Sequence, residues 1–159
     1  MEFTIRKAVK SDMSEVLDLI KELAVFEKEG HEAILTIKDL ENDGFGDHPL
    51  FYCFVVECNT KIVGAALCYI RYSTWKGKTL HLEDLIVNVS HRNLGFGTLL
   101  LDEVIKLGAQ LKVKRVCWEV LDWNTNAINF YKKKGAKILT DWHLVQMDEA
   151  LINNYLIAI

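Results

Sequence analysis

One proline in 159 residues, no C-x-x-C pair and no apolar run near the roughly 18 residues of a membrane span set the first limits on this chain. Without a Pro-, Ser- or Gly-rich stretch there is no linker, and residues 1–159 read as a single domain. The opening residues MEFTIRKAVK lack the apolar core of a signal peptide, so a cytoplasmic, reducing setting is expected. The four cysteines, Cys53, Cys58, Cys68 and Cys117, lie mostly in strand-like runs and are expected to be core thiols. The five histidines show no H-E-x-x-H or related spacing, and no metal is expected. A net charge of −3 gives no nucleic-acid footprint and leans weakly towards a cationic small substrate, and without an apolar run of spanning length no membrane partner is expected.

What is present is globular: 50% hydrophobic and 26% charged residues, enough for a sizeable core. Residues 3–6 alternate as a first strand. Ser11 is the expected N-cap of a helix with Met13, Val16, Leu17, Ile20, Leu23 and Ala24 on one face. The charged segment 27–32 reads as a solvated loop, or as the entrance for a cationic amine lined by Glu27, Glu29 or Glu32. Thr36 and Asp39 suggest a capping box opening a short helix that ends near Gly44. Residues 51–58 and 62–72 form a hairpin pattern, with Gly64 a bulge or close-packing point. Residues 115–120 read as a further strand, and Asn124 or Thr125 starts a helix closed by Gly135. Ile138-Leu139 and residues 143–147 are short strand candidates. Leu151, Tyr155, Leu156 and Ile159 are too apolar for water and are expected to pack on the domain or on a second copy. The order β-α-α-βββ-α-β-α-β-β is an α+β plan with a mixed sheet.

The chemistry centres on residues 80–111. A buried strand, 80–87, carries two carboxylates, Glu83 and Asp84. After a short loop comes Arg92-x-x-Gly95-x-Gly97 and then a helix with Leu100, Val104, Leu107 and Leu111 on its core face. The turn gives its backbone N–H groups little side-chain cover, and the helix dipole points at the same spot. Such a place binds a phosphate or pyrophosphate. A dinucleotide fingerprint fails for want of a third glycine, and a P-loop for want of Gly-Lys-Ser/Thr.

R-x-x-G-x-G between a strand and a helix, followed by W-N-x-x-A-x-x-F-Y-x-x-x-G-A at 123–136, resembles the GNAT acetyltransferase superfamily. The runs GFGDHP (44–49), YSTWKGK (72–78), LED (82–84) and VLDWN (120–124) resemble its diamine branch, of polyamine and thialysine acetyltransferases. YSTWKG and LDWN lean towards the thialysine side.

The resemblance implies a GNAT-like mixed, mostly antiparallel sheet flanked by helices, and acetyl transfer from acetyl-CoA to a primary amine by direct attack in a ternary complex. It places the pantetheine arm on the backbone of Leu85, Ile86 and Val87 like an added strand. It places the pyrophosphate on the N–H groups of Arg92, Asn93, Leu94, Gly95, Phe96, Gly97 and Thr98, with Asn124 also on the cofactor. Tyr131 matches the tyrosine that protonates the departing thiolate, and Glu83 the carboxylate that binds or deprotonates the amine. Asp84, Trp75 and Asp141 join Glu27 as substrate contacts, Asp141 standing in for acidic residues that the animal diamine enzymes carry before Trp142. Asn93 departs from a frequent glycine, but asparagine tolerates the left-handed backbone. The implied assembly is a homodimer. The alternatives are a protein or peptide amine as acceptor, and a non-catalytic acyl-CoA-binding domain.

Overall fold

The computed structural model describes residues 2–158. They form two compact units, Met1–Glu119 and Val120–Ile159. In the first unit the elements are β1 (Phe3–Lys7), α1 (Met13–Phe26), α2 (Ile37–Phe45), β2 (Tyr52–Cys58), β3 (Lys61–Ser73), β4 (Gly77–Val87), α3 (Phe96–Gln110) and β5 (Val116–Cys117). In the second they are α4 (Thr125–Lys133) and α5 (Glu149–Ala158). The five strands lie in sequence order, with β1 to β4 antiparallel and β5 parallel to β4. This is the mixed, mostly antiparallel sheet expected.

Helix α1 buries Met13, Val16, Leu17 and Leu19 against Cys53, Val55, Ala65 and Ile86 of the sheet. Its start differs from the expectation. Ser11 lies inside a short 3-10 turn, and the N-cap is Asp12, which makes no side-chain cap bond to α1. The Asp12 carboxylate instead takes the Val9 N–H at 2.8 Å and two Arg6 bonds at 2.7 and 3.0 Å. The arginine holds that carboxylate below its usual range despite its burial. The Thr36–Asp39 capping box forms as expected, and α2 ends at Phe45.

The β2–β3 hairpin turns at Asn59 and Thr60, both left-handed at φ 49° and 67°. A bulge lies where Val56 faces Gly64 and Glu57 faces Ile62. Gly64 packs closely, since a Cβ there would meet the Ile86 carbonyl oxygen at 3.1 Å and Leu100 at 3.2 Å. Cys53, Cys58 and Cys68 are buried, and burial pushes the Cys53 and Cys68 thiols up to about 12.

Two expected strands do not form. Residues 138–139 and 143–147 have no regular structure, and Leu144 and Val145 are 74% and 87% exposed. Apolar alternation makes a strand only where an edge accepts its hydrogen bonds, and these residues have no ladder among the described residues. The strand expected at 115–120 is cut to Val116–Cys117.

Candidate active site

Strand β4 carries the site because its ladder breaks on both sides. Towards β3, Leu67 faces Asp84 and Cys68 faces Leu82, leaving Glu83 as the extra residue of a bulge. A bulge re-aims the side chain it carries. Glu83 accordingly stands 52% exposed between buried Leu82 and half-buried Asp84. Towards β5, the pairing covers only Leu80–Val116 and His81–Cys117. From Leu82 on, that edge of β4 has no ladder partner among the described residues. It presents main-chain donors and acceptors alongside Leu85, Ile86 and Val87, as β-strand addition requires.

The carboxylates converge electrostatically. Burial, then the charges of Glu83 and Glu27, raise Asp84 to about 6, and no opposite charge offsets them. Burial also raises Glu27. Glu27 is the C-cap of α1, whose last turn holds no basic residue, so an acid sits at the negative end of the helix dipole. Such local violations are expected where a ligand supplies the missing charge. The Tyr69 hydroxyl faces Glu83, and burial, then the charge and hydrogen bond of Glu83, raise it.

The strand-to-helix turn follows. Asn93 and Gly95 are left-handed, at φ 65° and 84°, and Gly95 is the N-cap of α3 without a side-chain cap. The Arg92 amide leans on the Val89 carbonyl at 3.5 Å, and that of Thr98 donates to Gly95 at 3.0 Å. The five amides between them, from Asn93 to Gly97, have no acceptor among the described residues. A Cβ on Gly95 or Gly97 would meet nothing within 4 Å. The turn is therefore a bare row of donors with open space above it, which fits a diphosphate. The Arg92 side chain is engaged elsewhere: Nε donates to Val87 O at 3.0 Å, and the guanidinium lies 5.5 Å from the Phe26 ring centre.

One expected substrate contact in the first unit falls outside this cluster. Trp75, 77% exposed, sits in the β3–β4 turn, and Gly77 at the near end of β4 is roughly 20 Å of strand from Glu83. In the second unit, the Asn124 side chain caps α4 by accepting the Ala127 N–H at 3.2 Å. Tyr131 is buried, its ring 5.2 Å from that of Phe130. Asp141 is exposed in the irregular stretch before α5. Glu29, His31 and Glu32 gather within 4.8 Å on the surface, a grouping the histidine spacing had not suggested.

The sequence profile of the acetyltransferase (GNAT) family matches residues 14–136. The chain belongs to the GNAT family. Thialysine N-epsilon-acetyltransferase of Mus musculus is 37% identical over 145 residues, which cover 86% of this chain and 85% of that protein. Spermidine/spermine N(1)-acetyltransferase-like protein 1 of Homo sapiens is 38% identical over 92% of this chain, a match spanning 22% of that longer protein. The fold also matches that of an aminoglycoside N-acetyltransferase, AAC(6')-Iy, in complex with CoA, at TM-score 0.71 and 15% identity over 92% of this chain and 95% of that one. This GNAT protein is an acetyltransferase, and acetyl transfer to an amine is its reaction. GNAT acetyltransferases use acetyl-CoA.

Sequence reasoning missed two features of this region. Glu22, on the polar side of α1, accepts bonds from Asn88 and Val89 just ahead of the turn. Nothing in helical spacing marks it, because its partners lie far along the chain. His81 lies between Glu83 and Glu119, and the β4 bulge that re-aims Glu83 has no sequence signal either.

Proposed function

We propose that this enzyme transfers acetyl from acetyl-CoA to a primary amine of a small diamine, polyamine or lysine-like (thialysine) substrate, by direct attack in a ternary complex. The observation that carries the reading is the uncompensated acidic group of Glu27, Glu83 and Asp84 beside the open edge of β4. An alkylammonium supplies the opposite charge that Asp84 lacks.

In this reading residues 1–159 work as one acetyltransferase domain. Leu85, Ile86 and Val87 pair with the pantetheine arm, and the amides of 93–97 hold the pyrophosphate, flanked by Arg92 and Thr98 and joined by Asn124. Glu27 and Asp84, with Asp141, draw in the cationic substrate. An alkylammonium with a pKa near 10 is no nucleophile until it loses a proton. Glu83 takes that proton, or anchors the ammonium while water does. The amine then attacks the thioester carbonyl, the C–S bond breaks, Tyr131 gives its phenolic proton to the thiolate, and the second proton that the nitrogen sheds as the amide forms restores the phenol. Each such proton transfer contributes roughly 10²–10⁴-fold.

A homodimer belongs to the same reading. Helix α5 leaves Leu151, Ile152, Tyr155 and Leu156 exposed by 51%, 49%, 61% and 61%, and the irregular segment before it exposes Leu144 and Val145. Ile159, expected to share this packing, lies outside the described residues. A second copy is the occupant that covers such surface in a chain whose described helices include none long and apolar enough to cross a membrane.

A thiol-release assay with acetyl-CoA against spermidine, putrescine, thialysine, lysine and a lysine peptide tests the function. Turnover with a small diamine or thialysine, and little with the peptide, is expected. Turnover with the peptide alone moves the acceptor to protein amines, and none with any amine defeats the reading.

A further inference from the structure

Beneath the exposed carboxylate of Glu83 lies an ionisable group that the proposed reaction leaves unused. His81 is 4% exposed, the least accessible histidine of the chain. Its Nε2 stands 3.5 Å from Glu83 Oε2 and 3.1 Å from Glu119 Oε2. Both carboxylates reach solvent, at 52% and 60% side-chain exposure, while the ring between them does not. One nitrogen therefore stands between two acids.

The rest of the ring is held in place. Its face packs on Tyr69, with ring centres 5.1 Å apart. Its Nδ1 meets Cys117 Sγ at 3.7 Å, and the same sulfur lies 3.8 Å from Leu80 O. With the S–H directed at Leu80 O, Nδ1–H donates to sulfur and the Nε2 lone pair is ready to accept a proton. With the S–H turned to Nδ1, Nε2 carries the hydrogen and donates it. The thiol serves either tautomer, so the ring takes up and gives up a proton at Nε2 without moving. The groups facing His81 are thus Glu83 on β4, Glu119 just past β5, Cys117 on β5 and Tyr69 on β3.

We propose that His81 is a positioning residue that holds Glu83 in its bulge and passes the proton taken from the substrate amine on to Glu119. The step balances without any further reagent. The ammonium N–H bond breaks as Glu83 gains the proton; Glu83 yields it to Nε2; Nε2 yields it to Glu119, and water removes it there. Amine and thioester bound over Glu83 cover its outer side, and the imidazole gives the proton a way out behind it. The inference rests on the amine-acetyltransferase reading above.

The test compares wild type, His81→Gln and Glu119→Gln in steady-state acetylation of an amine that wild type uses, between about pH 6.5 and pH 9.5. Glutamine keeps a hydrogen bond to Glu83 but cannot relay a proton. Expected for His81→Gln is a fall in kcat of at least ~tenfold near pH 7, with KM for acetyl-CoA unchanged. The deficit should close as pH rises, because more amine arrives already neutral. Glu119→Gln, a surface change that leaves folding intact, should show a smaller loss with the same pH trend. A loss that is flat with pH marks a purely structural histidine and overturns the relay. So does a His81→Gln rate within about twofold of wild type throughout. If His81→Gln does not fold, Glu119→Gln decides alone, and no loss there overturns the proposal. Wild type inactive on every amine overturns the function itself, an outcome distinct from all of these.

Discussion

Glu22 Oε2 accepts a hydrogen bond of 2.7 Å from Asn88 Nδ2 across 66 residues of chain. The same carboxylate takes the Val89 N–H at 3.0 Å and lies 3.8 Å from the Arg92 guanidinium. Helix α1 thereby fixes the loop that delivers the chain into the row of bare amides. Glu22→Ala removes two hydrogen bonds to a charged acceptor, each worth about 1.5–3 kcal/mol, and frees that loop. CoA affinity by calorimetry is expected to fall roughly tenfold, about 1.4 kcal/mol, with the amine KM little changed. Unchanged CoA affinity would show that the loop holds its shape without α1.

Gly97 offers a cleaner probe of the turn than Gly95. Its backbone is not left-handed, and a Cβ there meets no protein atom within 4 Å. Gly97→Val should therefore fold with a near-native Tm while its side chain occupies the space above the amides. The expected result is CoA binding weakened by at least roughly tenfold, the loss of one well-made charge-assisted hydrogen bond or more. Native affinity would place the diphosphate elsewhere.

Asp84 makes a prediction about stability. Its native value of about 6 lies above the ordinary 3.8, so the folded chain keeps a proton that the unfolded chain releases. The contribution is favourable below the unfolded value and is lost as pH climbs through about 6. Asp84→Asn should then raise Tm by roughly 2–4 °C near pH 8 and leave it almost unmoved near pH 4. A variant less stable than wild type near pH 8 would contradict the account of an uncompensated buried charge. The same change should raise the amine KM, since stability and cation binding draw on one carboxylate.

Tyr131→Phe keeps the ring and removes the hydroxyl. Turnover should fall by at least roughly tenfold with acetyl-CoA binding near normal. An unchanged rate would remove Tyr131 as the acid.

Local signals carried the first unit well. The Thr36–Asp39 box, the Asn59-Thr60 hairpin turn and the glycine-marked start of α3 each declare themselves within a few residues. What depends on distant partners was not legible. Ser11 looked like a cap, but it lies inside a 3-10 turn, and Asp12 after it commits its carboxylate to Arg6 and the Val9 N–H instead of to α1. Residues 143–147 alternate like a strand yet form no ladder among the described residues. The Arg92 side chain turns to Val87 and Phe26, which nothing in the spacing of the motif announces. The bulge that exposes Glu83, and the buried imidazole behind it, arise from pairing register alone.

The most direct test of the central claim is an amide-resolved NMR titration of the protein with CoA. The account predicts that the largest shifts fall on the N–H groups of residues 93–97, and that pantetheine, which lacks the diphosphate, leaves them in place while still perturbing Leu85, Ile86 and Val87. Tight CoA binding with residues 93–97 unmoved would contradict it.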